Sequence, residues 1–298
     1  RLERFEILQD YYKGKMLIFD RIKEDWKSNN RLTYDYPSYI VDVLLGMTVG
    51  KPVTYTSVDD ERAVEELQAV FDLNDEQDEN TELMKLASIN GVGYEIVYLD
   101  EDGDIRFNEI NPKYVEFILD DTINGDPLMA FYIHDDISVE NLGSDDKVKL
   151  VTIYTADYKY TYRQDGDNYN LIEQEINPFG ILNVIRYRNN DEMIGDFERV
   201  LPLIDEMNLL QSDTANDFEE FTNAILVLYG APQTTRDDTQ RMKDDGTLLL
   251  DADQDAKYLT KEMNNDALVA YKQDLDTAIH KFAKVPNVAD EKFGGNVS

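Results

Sequence analysis

The sequence predicts an α+β protein. Three observations lead there. Helical apolar spacing runs from Leu2 to Ile89, alternating strands with hairpin signals fill Tyr94 to Tyr187, and long helical patterns return after Asn190. With 298 residues, 42% of them hydrophobic, the chain can bury a sizeable core as one large or two modest domains.

Leu2 to Asp25 reads as helix, with Phe5, Leu8, Tyr12, Met16, Phe19 and Ile22 spaced by three or four. Tyr36 to Thr48 is a second helix, entered through Pro37 in its first turn. Glu61 to Phe71 and Glu79 to Ile89 are amphipathic helices separated by the acidic turn Asn74-Asp75-Glu76. The period then switches to two. Tyr94 to Leu99 and Ile105 to Ile110 flank Asp100-Glu101-Asp102-Gly103, and Asn124-Gly125 and Asp165-Gly166 mark two further hairpins. Phe131-Tyr132-Ile133 and Tyr158 to Tyr162 are strand-like, and Leu182 to Tyr187 is the last strand of the region. About half of the 19 tyrosines fall here, as suits half-buried sheet positions.

From Asn189 to Tyr229 the chain holds ten carboxylates and one base, Arg199. Val200, Leu203, Met207, Leu210, Thr214, Phe218, Phe221 and Ile225 recur at helical spacing. This is a helix of roughly 40 Å with a narrow apolar stripe, more a strut than a carrier of an active site. Pro202 should bend it, so a short helical turn from Asp191 precedes a regular helix to Phe221. Ile225 to Tyr229, Thr247 to Leu250 and Ala256 to Leu259 are short strands, with a breaker at Gly230-Ala231-Pro232 and a turn at Asp244-Asp245-Gly246. Asn265 to Ala283 is a helix with Leu268, Tyr271, Leu275, Ile279 and Phe282 on one face, expected to pair with the acidic helix. Lys281 and Lys284 complement its dipole.

Catalytic signals fail on inspection. Gly46 to Lys51 has three residues between its glycines where a phosphate loop needs four, and Pro52 stands where Ser or Thr should hold magnesium. Gly91-Val92-Gly93 precedes a strand instead of following one, against a dinucleotide site. Asp100, Asp102 and Asp104 resemble calcium ligands, but the glycine falls at loop position four and position twelve is Asn111, so a hairpin turn is the expectation. His134 and His280 lie in different regions of a chain with no cysteine, which disfavours zinc and disulfides and fits a reducing cytoplasm. No apolar run approaches the roughly 18–20 residues of a membrane span, since Tyr39 to Val49 is broken by Asp42. Neither an enzyme nor a cofactor is expected.

Several blocks carry a family resemblance, in family order. They are Tyr11-Tyr12-Lys13-Gly14; Asn29-Asn30-Arg31-Leu32 with Tyr34, Tyr36 and Tyr39-Ile40-Val41-Asp42; and Gly46 with Gly50-Lys51-Pro52-Val53 and Tyr55. There follow Asn189-Asn190-Asp191-Glu192-Met193, Gly195-Asp196-Phe197-Glu198, Leu203-Ile204-Asp205, Ser212-Asp213-Thr214-Ala215-Asn216 and Phe293-Gly294-Gly295-Asn296. This ordered run resembles the portal proteins of long-tailed double-stranded DNA bacteriophages of Gram-positive hosts.

The resemblance implies the portal fold: a mixed α+β wing over residues 1–188, a first stem helix over 189–221, a small α/β clip over 222–262, a second stem helix over 263–285 and a tunnel-loop region over 286–298. The family continues into a crown, so the chain, which opens at Arg1, is expected to be part of a longer protein. The family forms a ring of about twelve subunits at one capsid vertex, closed by a head-to-tail interface. It takes the terminase large subunit, head-completion and neck proteins, scaffold and major capsid protein as partners, passes double-stranded DNA, and resides in the virion after assembly in the host cytoplasm. By that mapping Asp205, Glu206, Asp213, Asp217, Lys281 and Lys284 line the stem channel. Ile225, Val227, Leu248, Leu250 and Tyr258 form the clip docking surface, and Asn287, Asp290, Phe293, Gly294, Gly295 and Asn296 face DNA.

The net charge of −33 fits a conduit better than a clamp. Duplex binding replaces phosphate counterions with Lys and Arg, whereas a channel for a sliding polyanion should repel it weakly everywhere. Two other readings accommodate the charge: an acidic DNA mimic that inhibits basic proteins, expected as monomer or dimer, and a metal-dependent nuclease built on clustered Asp and Glu.

Overall fold

In the computed structural model, the residues described are 1–136, 148–222, 225–230, 235, 237, 240, 255–259 and 265–288. The chain divides into two compact units. The first comprises Arg1–Met16, Asp35–Pro202 and Ile279–Ser298; the second comprises Leu17–Tyr34 and Leu203–Ala278.

The first unit begins with helix α1 (Leu2–Tyr12). The expected helix to Asp25 does not form, because Gly14 takes φ +77° and the chain leaves the helix there. A 3-10 turn follows at Leu17–Asp20. Phe5, Leu8 and Met16 of the predicted face are buried, whereas Phe19 and Ile22 are exposed. Helix α2 (Tyr36–Thr48) holds Pro37 in its first turn, where the missing N–H costs nothing. Helix α3 (Glu61–Leu73) is capped by Asp60, whose carboxylate accepts the Ala63 N–H at 3.1 Å. Helix α4 (Glu76–Asn90) starts three residues earlier than predicted and stops at Gly91, which adopts the left-handed cap.

Strands β1 (Val92–Leu99), β2 (Ile105–Ile110) and β8 (Val184–Arg188) form an antiparallel sheet of order β2-β1-β8. Strands β3 (Val115–Leu119), β4 (Pro127–Asp135), β5 (Lys149–Tyr154), β6 (Tyr158–Asp165) and β7 (Asn168–Ile176) form a five-stranded meander. The hairpin glycines behave as the sequence demands: Gly103, Gly125 and Gly166 all have positive φ. The third loop is Gly166-Asp167, one residue later than predicted, because Asp165 still pairs with Asn168. Phe5, Val92, Tyr94, Ile110, Val115, Phe117, Ala130, Tyr154 and Val184 make one apolar cluster, in which Tyr94 stacks on Phe117 at 5.2 Å. Beside it, Gln9 donates to Asn90 Oδ1 at 3.0 Å and to Asn111 Oδ1 at 2.9 Å, which satisfies polar groups buried under α1.

The second unit contains most of helix α5 (Leu201–Thr222), the paired strands β9 (Ile225–Tyr229) and β10 (Asp255–Leu259), and most of helix α6 (Asn265–Ala283). The turn expected from Asp191 is a 3-10 turn at Glu198–Val200, and α5 starts immediately after it. Pro202 therefore sits in the first turn and imposes no bend. At 22 residues α5 is about 33 Å long, shorter than expected. The strand predicted at Thr247–Leu250 and the turn at Asp244–Gly246 lie outside the described residues.

Candidate functional site: the acidic helix and the strap that braces it

Helix α5 grows out of a tightly tied loop in the first unit. Gly195 approaches the end of α4 so closely that a Cβ would overlap the Ile89 carbonyl oxygen, and a Cβ on Gly91 would overlap that of Met193. Asp196 is held from three sides: its N–H donates to Ser88 O at 2.8 Å, and its carboxylate accepts Ser88 Oγ at 2.7 Å and Asn189 Nδ2 at 2.8 Å. Asn190 closes the loop on Ile194 with 2.9 and 2.6 Å bonds. Arg4 grips Glu198 through both carboxylate oxygens, at 2.7 and 2.5 Å, and also reaches Met193 O at 2.8 Å. Burial pushes the Glu198 carboxyl up, but Arg4 and the Gly195 N–H outweigh it and hold it below the usual range. The block from Asn189 to Glu198 thus anchors the root of α5 to α4 and α1.

In the second unit the apolar stripe read from the sequence is only part of the buried side of α5: Met207 and Thr214 are buried and Leu203 and Leu210 half-buried, whereas Phe218 is 58% exposed. Ile204, Asn208, Ser212 and Asn216, outside that stripe, are buried as well. The line Asn208, Ser212, Asn216 runs at intervals of four and meets residues 30–34, a run that is neither helix nor strand. Asn30 N donates to Asn216 Oδ1 at 2.7 Å, Leu32 N to Ser212 Oγ at 2.9 Å and Tyr34 N to Asn208 Oδ1 at 2.8 Å. Four residues of helix advance about 6 Å and two of extended chain about 6.6 Å, so the two repeats keep step over three rungs. Ser212 Oγ donates in turn to Asn208 O at 2.7 Å. Hence the buried polar side chains are satisfied by the backbone of the strap, Leu17–Tyr34.

Two cations of the strap lock it further. Arg21 pairs with Asp213, and Lys23 lies 3.4 Å from the same carboxylate oxygen. Burial raises the Asp213 pKa, but Arg21, Asn216 and Lys23 together hold it below the ordinary value. Asn30 also donates to Glu219 Oε2 at 2.9 Å. The pairing of α5 with α6 occurs as predicted, through Tyr271 Oη to Glu206 Oε1 at 3.2 Å and Lys272 Nζ to Gln211 Oε1 at 2.6 Å. The predicted α6 face holds in part: Leu275 and Ile279 are buried, with Ala283 beside them, while Tyr271 and Phe282 are 45% and 58% exposed.

Of the expected channel residues, Asp205, Glu206, Asp213 and Asp217 all lie on α5, with Glu206 and Asp213 engaged as above. Lys281 and Lys284 lie at the end of α6, where Lys284 takes φ +60° as the helix terminates and Lys281 Nζ sits 5.5 Å from the Phe282 ring centre. The expected clip residues Ile225, Val227 and Tyr258 lie on the β9–β10 pair, whose backbone register sets Val227 opposite Lys257 and Tyr258 opposite Leu226. Leu248 and Leu250 lie outside the described residues, as do Asp290, Phe293, Gly294, Gly295 and Asn296. Asn287 is described, and its neighbours are fixed: Tyr39 Oη donates to Pro286 O at 3.0 Å and accepts Val288 N at 2.9 Å.

Sequence reasoning missed two sets: Arg4 with Glu198 in the first unit, and Arg21, Asn208, Ser212 and Asn216 in the second. A signal existed: three small polar residues four apart on one helix, and the separate block Asn29 to Leu32 that supplies their partners. The aspartates of the β1–β2 turn form a hairpin as expected, with Asp100 Oδ1 accepting the N–H groups of Asp102 and Asp104 at 3.1 and 3.0 Å. Among the described residues no group of three His, Cys, Asp or Glu side chains could hold a metal ion. No described helix is long and apolar enough to cross a membrane.

Residues 1–298 match the profile of the family described as phage portal protein, SPP1 Gp6-like. The chain belongs to the phage portal protein family. It is similar to the portal protein of Bacillus phage SPP1, with 24% identity over 305 aligned residues that cover 97% of this chain and 60% of that relative. The chain thus spans about three-fifths of the length of that curated portal protein. Family membership also gives the tied loop and the strap ladder a context, since both are built from the blocks that carried the resemblance.

Proposed function

We propose that this chain is the wing, stem and clip part of a portal protein that forms a ring of about twelve subunits at a capsid vertex. Residues 1–188 serve as wing, α5 and α6 as stem, residues 222–262 as clip and residues 286–298 as tunnel-loop region. Double-stranded DNA passes through the ring during packaging and ejection. The terminase large subunit docks on the clip and is later replaced by neck proteins, while scaffold and major capsid protein surround the wing. The ring acts as conduit and hub without hydrolysing nucleotide, in the virion and, during assembly, in the host cytoplasm.

The observation that carries this reading is a 22-residue helix with six carboxylates and no base, braced from Asn208 to Glu219 by a strap. Such a helix has no cation of its own to hold a phosphate in place, which suits a polyanion that slides. Native mass spectrometry of the full-length protein tests it. A closed species of about twelve subunits is expected. A monomer or dimer at every concentration would sink the reading and favour the acidic DNA mimic.

A further inference from the structure

Strand β7 is an open edge of the five-stranded meander. It pairs with β6 on one side, with no strand on the other among the described residues, and all nine of its residues are exposed. Such an edge offers backbone N–H and C=O groups, the chemistry that recognises another extended chain. Natural edges are often blunted by lysine or proline, and β7 holds neither. One bulge interrupts it: Thr161 pairs with Glu173 and Tyr162 with Leu171, which leaves Ile172 extra. Over residues 173–176 the pairing with β6 is regular.

The register sets what an added strand must carry. Glu173 and Glu175 stand opposite Thr161 and Lys159, on the face that bears Tyr132 and Tyr154. Gln174 and Ile176 stand opposite Tyr160 and Tyr158 on the other face. Cross-strand neighbours interact in pairs, so an added strand would alternate cations beside the glutamates with apolar residues beside Ile176 and the tyrosines. The negative charge is only partly met within the chain. Lys159 Nζ lies 2.6 Å from Glu175 and 3.9 Å from Glu173, one cation for two carboxylates, and Arg163 is taken by Asp136 at 2.9 Å. Asp165 and Asp167 at the hairpin turn add to the excess. A second β7 makes a poor partner strand, because it would bring four glutamates together.

The same face opens into a cavity of about 710 Å³ that begins where β7 ends, lined by Glu175, Tyr132, Tyr154, Phe179 and Asn183 among others. Asn183 donates its amide to Val97 O at 2.7 Å, while its Oδ1 is buried and has no donor among the described residues. A guanidinium supplies five N–H donors and stacks on aromatic faces, so an arginine entering beside Glu175 suits the carboxylate, the tyrosines and this acceptor.

We propose that residues 173–176 of β7 pair with an extended segment of a partner protein in which arginine alternates with apolar residues, one arginine entering the cavity. Such a docking site goes beyond the ring reading and does not depend on it.

The test uses the full-length protein, short peptides and amide hydrogen exchange. A peptide alternating arginine and valine should bind and slow exchange over residues 173–176 by about tenfold or more. Its counterpart with aspartate for arginine, and one methylated on every backbone nitrogen, should not bind. The double variant Glu173→Gln, Glu175→Gln should weaken the arginine peptide by about tenfold or more. Its thermal melt should stay unchanged, because both side chains are half exposed. Absence of binding, equal binding of the aspartate or methylated peptide, or binding that leaves those amides unprotected overturns the inference. If concentrating the protein alone protects the same amides, the edge belongs to a second copy and the inference fails.

Discussion

The first unit and the helix α5 solve the same problem by opposite means. In the first unit, apolar side chains from α1 and both sheets meet in one cluster around Tyr94 and Phe117. Along α5, beyond Met207, the buried positions are Asn208, Ser212, Thr214 and Asn216, and what they meet is backbone N–H from the strap. Apolar burial is tolerant of small shifts; a ladder of side chain to backbone bonds fixes register, because each unmade bond strands a buried polar group. A carboxylate-rich helix can thus be held in register by polar rungs to backbone where it lacks a thick apolar face.

The comparison can be broken from either side, and the largest effect is expected at the root. Gly195→Ala would drive a Cβ into the Ile89 carbonyl, so it should cost about 3 kcal/mol or more in chemical denaturation. Next, Asn208→Leu leaves the Tyr34 N–H without its acceptor and should cost about 2–3 kcal/mol, despite being the more apolar residue. An equal or increased stability would show that α5 packs as an ordinary apolar helix. Ser212→Ala, the middle rung, should cost about 1–2 kcal/mol and speed amide exchange at Leu32 more than anywhere in β1.

Smaller and of opposite sign are two carboxyl effects. Burial, with a hydrogen bond to Glu79, pushes the Glu109 carboxyl up to about 7. The native state therefore binds the extra proton between the unfolded value near 4.5 and about 7, and stability falls as pH rises through that window. Glu109→Gln should stabilise the protein by about 1 kcal/mol at pH 8 and flatten its stability between pH 5 and 7. Asp213 behaves the other way. Its pKa is held below the unfolded 3.8 by Arg21, Asn216 and Lys23, so its contribution is present above that value and is lost as pH falls below it. Asp213→Asn should cost about 0.5–1 kcal/mol at pH 7 and remove that acid-side decline, a small effect because the Asp213 side chain is half exposed.

Legibility in the sequence followed how local each signal was. Helix α2 and the hairpin loops at Gly103 and Gly125 were readable because Pro37 and the Gly-containing turns act within a few residues. The first helix was overextended because apolar spacing continues past Gly14, while the left-handed turn there ends the helix. On α5 and α6, counting apolar residues found part of the buried side (Met207, Thr214, Leu275 and Ile279) and missed its polar part. Asn208 and Ser212 are buried through partners some 180 residues away, and Lys272 occupies the inner line of α6 by reaching Gln211. The root of α5 was legible only as the resembling block Asn189 to Glu198; that Arg4 would clamp Glu198 could not be read from a separation of 194 residues.

The most direct test is a cryo-electron microscopy map of the ring assembled from the full-length protein. The account predicts α5 in the channel wall, its Asp205, Asp217 side toward the axis, with residues 30–34 still running along Asn208, Ser212 and Asn216 on the side away from it. A ring with α5 on its outer rim, or with the strap detached from that line, would contradict it.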